Sequence, residues 1–224
     1  MPRFAGRGGS DWVRLATQEV SRVSTLDFEN EWRTGGISGA TGQYFRRDID
    51  IFKFVIIDFT PGTNHATLCF DINSDDSTGS GNPGANPNTG FDDTPWLTAA
   101  CQFWNSDSTG GYMGYTPDSD LNQTTGPVYL GREVKAHTTT TGANAGGFLF
   151  FFCPHHPWRG ITYSSEVASV SDNGAVHFES CGSQEGTTVK TGALDGVRFS
   201  MTSGTFSGKF VLYGLGEGDR NVRN

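Results

Sequence analysis

Charge is the first thing this sequence is short of. Charged residues make up 18% of its 224 positions, below the usual quarter. No apolar run approaches the length of about 18 residues that a membrane-crossing helix needs, so no helical insertion is expected. The opening MPRFAGRGGS has no apolar core segment, so no secretory leader is expected. There are no coiled-coil heptads and no internal repeat. The four cysteines, Cys69, Cys101, Cys153 and Cys181, form no CxxC pair and mostly have small or apolar neighbours. They read as small hydrophobes, reduced in a cytoplasm.

What charge there is sums to −8, which disfavours nucleic acid and anionic membrane as partners, because phosphates would be repelled. Arginines collect at the two ends: Arg3, Arg7, Arg14 and Arg22, then Arg220 and Arg223. They are expected on loose termini, where Arg3 and Arg7 would serve an anchoring arm.

Glycine is abundant: 31 residues, roughly twice the usual share. Aromatics are also plentiful, with 17 Phe, 5 Trp and 6 Tyr. Hydrophobic residues total 35%, in many short runs rather than a few long ones. That combination suits a turn-rich all-β chain and argues against helical bundles.

The strand signals follow from period-2 alternation. Trp12 to Ala16 and Val23 to Phe28 read as two strands joined by TQEVSR, at most a helical turn. Asp48 to Thr60 (DIDIFKFVIIDFT) is the strongest signal, apolar on both faces in its middle and so expected to be central and doubly buried. Ala66 to Ile72 reads as its antiparallel return strand. Pro95 to Asn105, Val128 to Val134, Ile161 to Val170 and Ala175 to Ser180 are further strands, and Gly147 to Cys153 (GFLFFFC) is a second doubly buried one. Asn73 to Thr94 and Ser106 to Pro127 are polar, glycine-rich connections expected as exposed loops. Ala193 to Gly216 reads as a closing hairpin whose Phe210 and Tyr213 are expected in the core.

Candidate chemistry is sparse. Cys153-Pro154-His155-His156 crowds potential ligands together, but adjacent histidines point to opposite sides and structural zinc wants two spaced pairs. A Pro-bracketed turn holding Trp158 is the better reading. Asp71-x-Asn73-x-Asp75 superficially resembles a calcium loop, yet the sixth position is Asp76 and the twelfth Asn82, where Gly and Glu are required. Asp58, Asp71, Asp92, Asp93, Glu133 and Glu179 supply carboxylates without any pairing visible in sequence, and no G-x-S-x-G is present. Trp96, Trp104, Tyr112, Tyr115 and Trp158 can stack on sugar rings. For the three tryptophans, a place at the edge of the core is the favoured reading.

Three stretches carry a family likeness: DWVRLATQEVSRVSTLDFEN, YFRRDIDIFKFVIIDFTPGTNHATLCFDI and SGTFSGKFVLYGLG. Together they resemble the jelly-roll head domains of tail fibres and the related appendage or decoration proteins of tailed bacteriophages. The resemblance spans about residues 10 to 216. Its most specific piece is Ser203-Gly204-x-Phe206-Ser207-Gly208 leading into Leu212-Tyr213-Gly214. It implies a non-enzymatic, trimeric virion component made in the host cytoplasm and exposed on the particle. Unlike long fibres, this chain has only a ten-residue arm before the domain, which suggests docking directly on the particle.

The expected architecture is therefore a single-domain antiparallel β-sandwich, jelly-roll-like, with long Gly/Ser/Asn-rich loops. The expected divisions are an arm at 1–10, the domain at 11–216 and a tail at 217–224. The expected function is a virion structural protein that needs no cofactor. Its partners would be copies of itself and other capsid or tail proteins. A carbohydrate-binding adhesin for host-surface glycans is the alternative, and a polysaccharide-degrading enzyme comes third.

Overall fold

Phenylalanines on alternate positions of several strands meet in one layer, and that layer defines the fold. The computed structural model describes residues 12–29, 45, 49–74, 96–106, 110–116, 122–124, 127–131, 144–152, 161–171, 174–184 and 194–216. Among them run thirteen strands: β1 (Val13–Val23), β2 (Thr25–Glu29), β3 (Ile51–Pro61), β4 (Leu68–Ser74), β5 (Trp96–Ser106), β6 (Gly110–Tyr115), β7 (Asn122–Thr124), β8 (Val128–Tyr129), β9 (Ala145–Phe152), β10 (Thr162–Ser171), β11 (Gly174–Gln184), β12 (Leu194–Met201) and β13 (Phe206–Leu215). No described residue is helical.

The strands form two antiparallel sheets. The larger has nine strands in the order β1-β13-β3-β9-β10-β11-β5-β6, with β7 also paired to β5. The smaller runs β2-β12-β4-β8. Their facing sides bury one aromatic cluster, in which Phe54 of β3 meets Phe28 and Phe199 of the small sheet edge-on, both at 5.1 Å between centroids. Phe70 of β4 reaches across to Phe151, Trp96 and Tyr163 in the same way. Edge-to-face rings complement each other's quadrupoles and pack without voids. The sheets are also tied by a polar contact. The Ser165 and Ser180 hydroxyls lie 2.8 Å apart, and Ser180 donates to the Tyr129 carbonyl at 3.3 Å.

The expectation of an antiparallel β-sandwich holds, and so does the alternation inside several strands. Leu26 and Phe28 point inward from β2, and Phe52, Phe54 and Ile56 from β3. Pairing is where the structure departs from local reading. The closing segment is not a hairpin, because β12 lies in the small sheet and β13 in the large one, so the turn at Ser203-Gly204 crosses between layers. The same is true of β3 and β4, which were expected to pair. Residues 13–23 make one continuous strand through TQEVSR, since pairing with β13 satisfies their main chain. A bulge between Val20 and Val23, with Arg22 at φ 55°, accommodates the bend. The expected loop at 106–127 contains β6 and β7, because main-chain bonds to β5 need no particular side chain. The arm at 1–10, the tail at 217–224 and most of the 73–94 connection lie outside the described residues.

Candidate functional site

The outer face of the nine-stranded sheet is where the exposed apolar surface collects. Six large hydrophobic side chains are exposed among the described residues: Trp12, Ile57, Leu97, Met113, Tyr115 and Val170. All six lie on this face. Five are outward positions of strands in the sheet, and Trp12 packs on outward-facing Phe150, with centroids 6.2 Å apart.

Register explains the pattern. Outward positions align in rows across the sheet: Tyr213, Lys53, Phe150, Ser164 and Cys181 in one, and Val211, Val55, Phe148, Glu166, Glu179, Cys101 and Tyr115 in the next. The expectation that 48–60 and 147–153 are buried on both faces is therefore corrected. Ile51, Lys53 and Val55 on β3, and Phe148, Phe150 and Phe152 on β9, are only half-buried, and Ile57 is exposed. They are apolar on both sides because one side faces the core and the other faces outward without cover from the small sheet.

Lys53 sits at the centre of the patch. Its Nζ lies 4.2 Å from the ring centroid of Phe148, 5.4 Å from that of Phe150 and 5.7 Å from that of Trp12. Three ring faces hold the ammonium by cation–π attraction. Among the described residues, no carboxylate comes within ion-pair distance of it.

Two strands away the charge reverses. Glu166 and Glu179 are direct cross-strand partners on β10 and β11. His177 Nε2 lies 3.1 Å from Glu179 Oε1 and 3.7 Å from Glu166 Oε1. Like charges directly opposite on a sheet repel. Cys101 Sγ is 3.9 Å from Glu179 Oε2; desolvation first, and then that carboxylate's charge, push its thiol pKa up. Beside this cluster an open groove of about 550 Å³ runs between β10, β11, β5 and β6, lined by Phe103, Met113, Ala168, Ala175 and His177 among others. Among the described residues, no group of three or more His, Cys, Asp or Glu is placed to hold a metal ion.

The residues singled out from sequence scatter. Tyr115 is 61% exposed on edge strand β6, beside Met113 at 70%. Trp96 is 2% exposed and packed on Phe70 and Tyr163, which removes it from the contact residues and bears out its core reading. The main chains of Trp104 and Tyr112 pair with each other across β5 and β6; their side chains, like Trp158, Arg3 and Arg7, lie outside the described residues. The Cys153–His156 cluster also lies outside. Cys69 is buried as expected, whereas Cys101 is half-buried and Cys181 exposed, both on the outer face. Sequence reasoning missed Trp12, Lys53, Phe150, Glu166 and His177. The available signal was the lysine inside the β3 run: a charge at the middle of an apolar strand marks a side that cannot be deep core.

The chain matches no protein-family model, no curated protein and no solved structure.

Proposed function

We propose that this chain is a non-enzymatic structural subunit of a bacteriophage virion, exposed on the particle and held there through the outer face of its nine-stranded sheet. The observation that carries the reading is that Trp12, Ile57, Leu97, Met113, Tyr115 and Val170 all lie on that one face, which also carries the half-buried Phe148–Phe150–Phe152 ladder. Exposed aromatic and aliphatic side chains collected on one face of a rigid sheet mark an interaction surface. The virion setting, the jelly-roll kinship and the homotrimer rest on the sequence resemblance. The partners are copies of the chain and neighbouring capsid or tail proteins.

Mass spectrometry and a cryo-EM map of gradient-purified particles test this. The chain is expected at stoichiometric copy number with the patch covered by a neighbour. Its absence from the particles overturns the reading.

A second reading, a carbohydrate-binding adhesin for host-surface glycans, is favoured by one observation: Tyr115 stands exposed beside an open groove at the sheet edge. An exposed ring of this kind can stack on the apolar face of a sugar. A glycan array should then give hits that Tyr115→Ala abolishes; no hit removes the reading.

A further inference from the structure

We infer that the outer face of the nine-stranded sheet binds a second copy of this chain, face to face, about a two-fold axis running along β9. The inference rests on the structural-subunit reading and names the partner of the apolar face, putting a two-fold assembly in place of the three-fold one that the sequence resemblance implies.

The argument is charge complementarity laid out in strand order. Successive strands β3, β9 and β10 place Lys53, Phe148 and Glu166 across the face, with Glu179 next on β11. Lys53 belongs to the Phe150 row, and its Nζ lies nearer the ring of Phe148, the cross-strand partner of Glu166, than that of Phe150. Rotation about an axis along β9 lays β9 on its own copy and brings β3 of one chain opposite β10 of the other. The Phe148–Phe150–Phe152 ladder then packs on itself, and Lys53 of each chain meets Glu166 of its partner, twice per interface.

This arrangement supplies what the single chain lacks. Lys53 has no carboxylate within ion-pair distance among the described residues. Glu166 and Glu179, 58% and 48% exposed at their side chains, face each other across β10 and β11 with His177 beside both. Each copy offers the charge that the other is missing, and the aromatic ladder excludes water from the pairs, which strengthens them.

The size is adequate. The seven strands from β1 to β5, centred on β9, at about 4.8 Å spacing and eight residues of about 3.3 Å rise, make a face of about 34 by 26 Å, a little above the roughly 800 Å² per partner of a standard stable interface.

Light scattering on the purified full-length chain at micromolar concentration tests the inference. The expected mass is twice 24.2 kDa. Lys53→Glu and Glu166→Lys should each weaken the dimer by about tenfold or more, and the double variant K53E/E166K should restore it, because the swapped charges pair again. Phe150→Asp should give a folded monomer; if it fails to fold, the charge-swap cycle decides alone. A monomeric or trimeric wild-type chain overturns the inference, as does a dimer indifferent to both single charge reversals. Either result leaves the particle role to be read independently from virion composition.

Discussion

At the scale of single residues, Phe210 and Tyr213 show how far neighbouring positions on one strand can differ. Phe210 is fully buried, with Phe199 at 4.8 Å and Phe206 and Phe59 also in ring contact. Tyr213, three positions on, points outward and is half-buried. Phe210→Ala is expected to cost about 3–5 kcal/mol in chemical denaturation, and Tyr213→Ala about 1 kcal/mol, as at a typical partly exposed site. Asp71 offers a second test. On the outer side of the small sheet, Arg198 is gripped by both carboxylate oxygens of Asp27, at 2.7 and 2.6 Å, and Asp71 is its cross-strand neighbour on the other side. Burial outweighs the attraction of Arg198 and raises the Asp71 pKa to about 6, above its ordinary 3.8. The folded state therefore holds this proton more tightly than the unfolded one. Stability should rise as pH falls from about 7 towards 4, a gain that Asp71→Asn should remove while stabilising the protein at pH 7. A wild-type profile flat over that range, or unchanged in the variant, would count against this account.

At the scale of elements, the β12–β13 connection deserves its glycine. The chain leaves the small sheet at Met201 and must enter the large sheet by Phe206. Gly204 makes that crossing at φ 76°, and a Cβ there would collide with the Thr63 side chain. Gly204→Ala is expected to cost about 1–3 kcal/mol, measurable as a lower denaturation midpoint with an unchanged slope. Strand β9 carries a similar constraint, since a Cβ on Gly147 would run into the Glu166 carbonyl of β10. Much at this scale was legible in the residues themselves. The alternation in 48–60 and the run GFLFFFC mark strands, and β10 keeps strict in–out periodicity from Ile161 to Val170. The partner of each strand was not legible. The short turns after β3 and β12 look like hairpin turns, yet both join strands that lie in opposite layers.

At the scale of the whole molecule, a single core cluster takes side chains from both sheets, from Leu26 and Phe28 to Phe210 and Leu212. Neither sheet can keep its apolar face dry without the other, so they should unfold together. Far-UV circular dichroism and tryptophan fluorescence, to which buried Trp96 contributes, are expected to trace one coincident urea transition; separated midpoints would show two independent units. The unequal widths of the sheets matter for function. The small sheet lies on one side of the larger, so among the described residues the aromatic ladder, the lysine and the acidic pair stand on the side away from it.

The residues alone determined that this chain is all-β, where most of its strands run and which phenylalanines belong to a core, because period-2 alternation and glycine-rich turns are local properties. They also mark Trp96 as a core-edge residue. Tertiary structure decided the rest: that β12 and β13 part company, that β1 runs unbroken, and that one apolar face of β3 and β9 lies on the side away from the small sheet. Alternation says that two faces of a strand differ or agree; only the packing of distant segments decides which of them is covered.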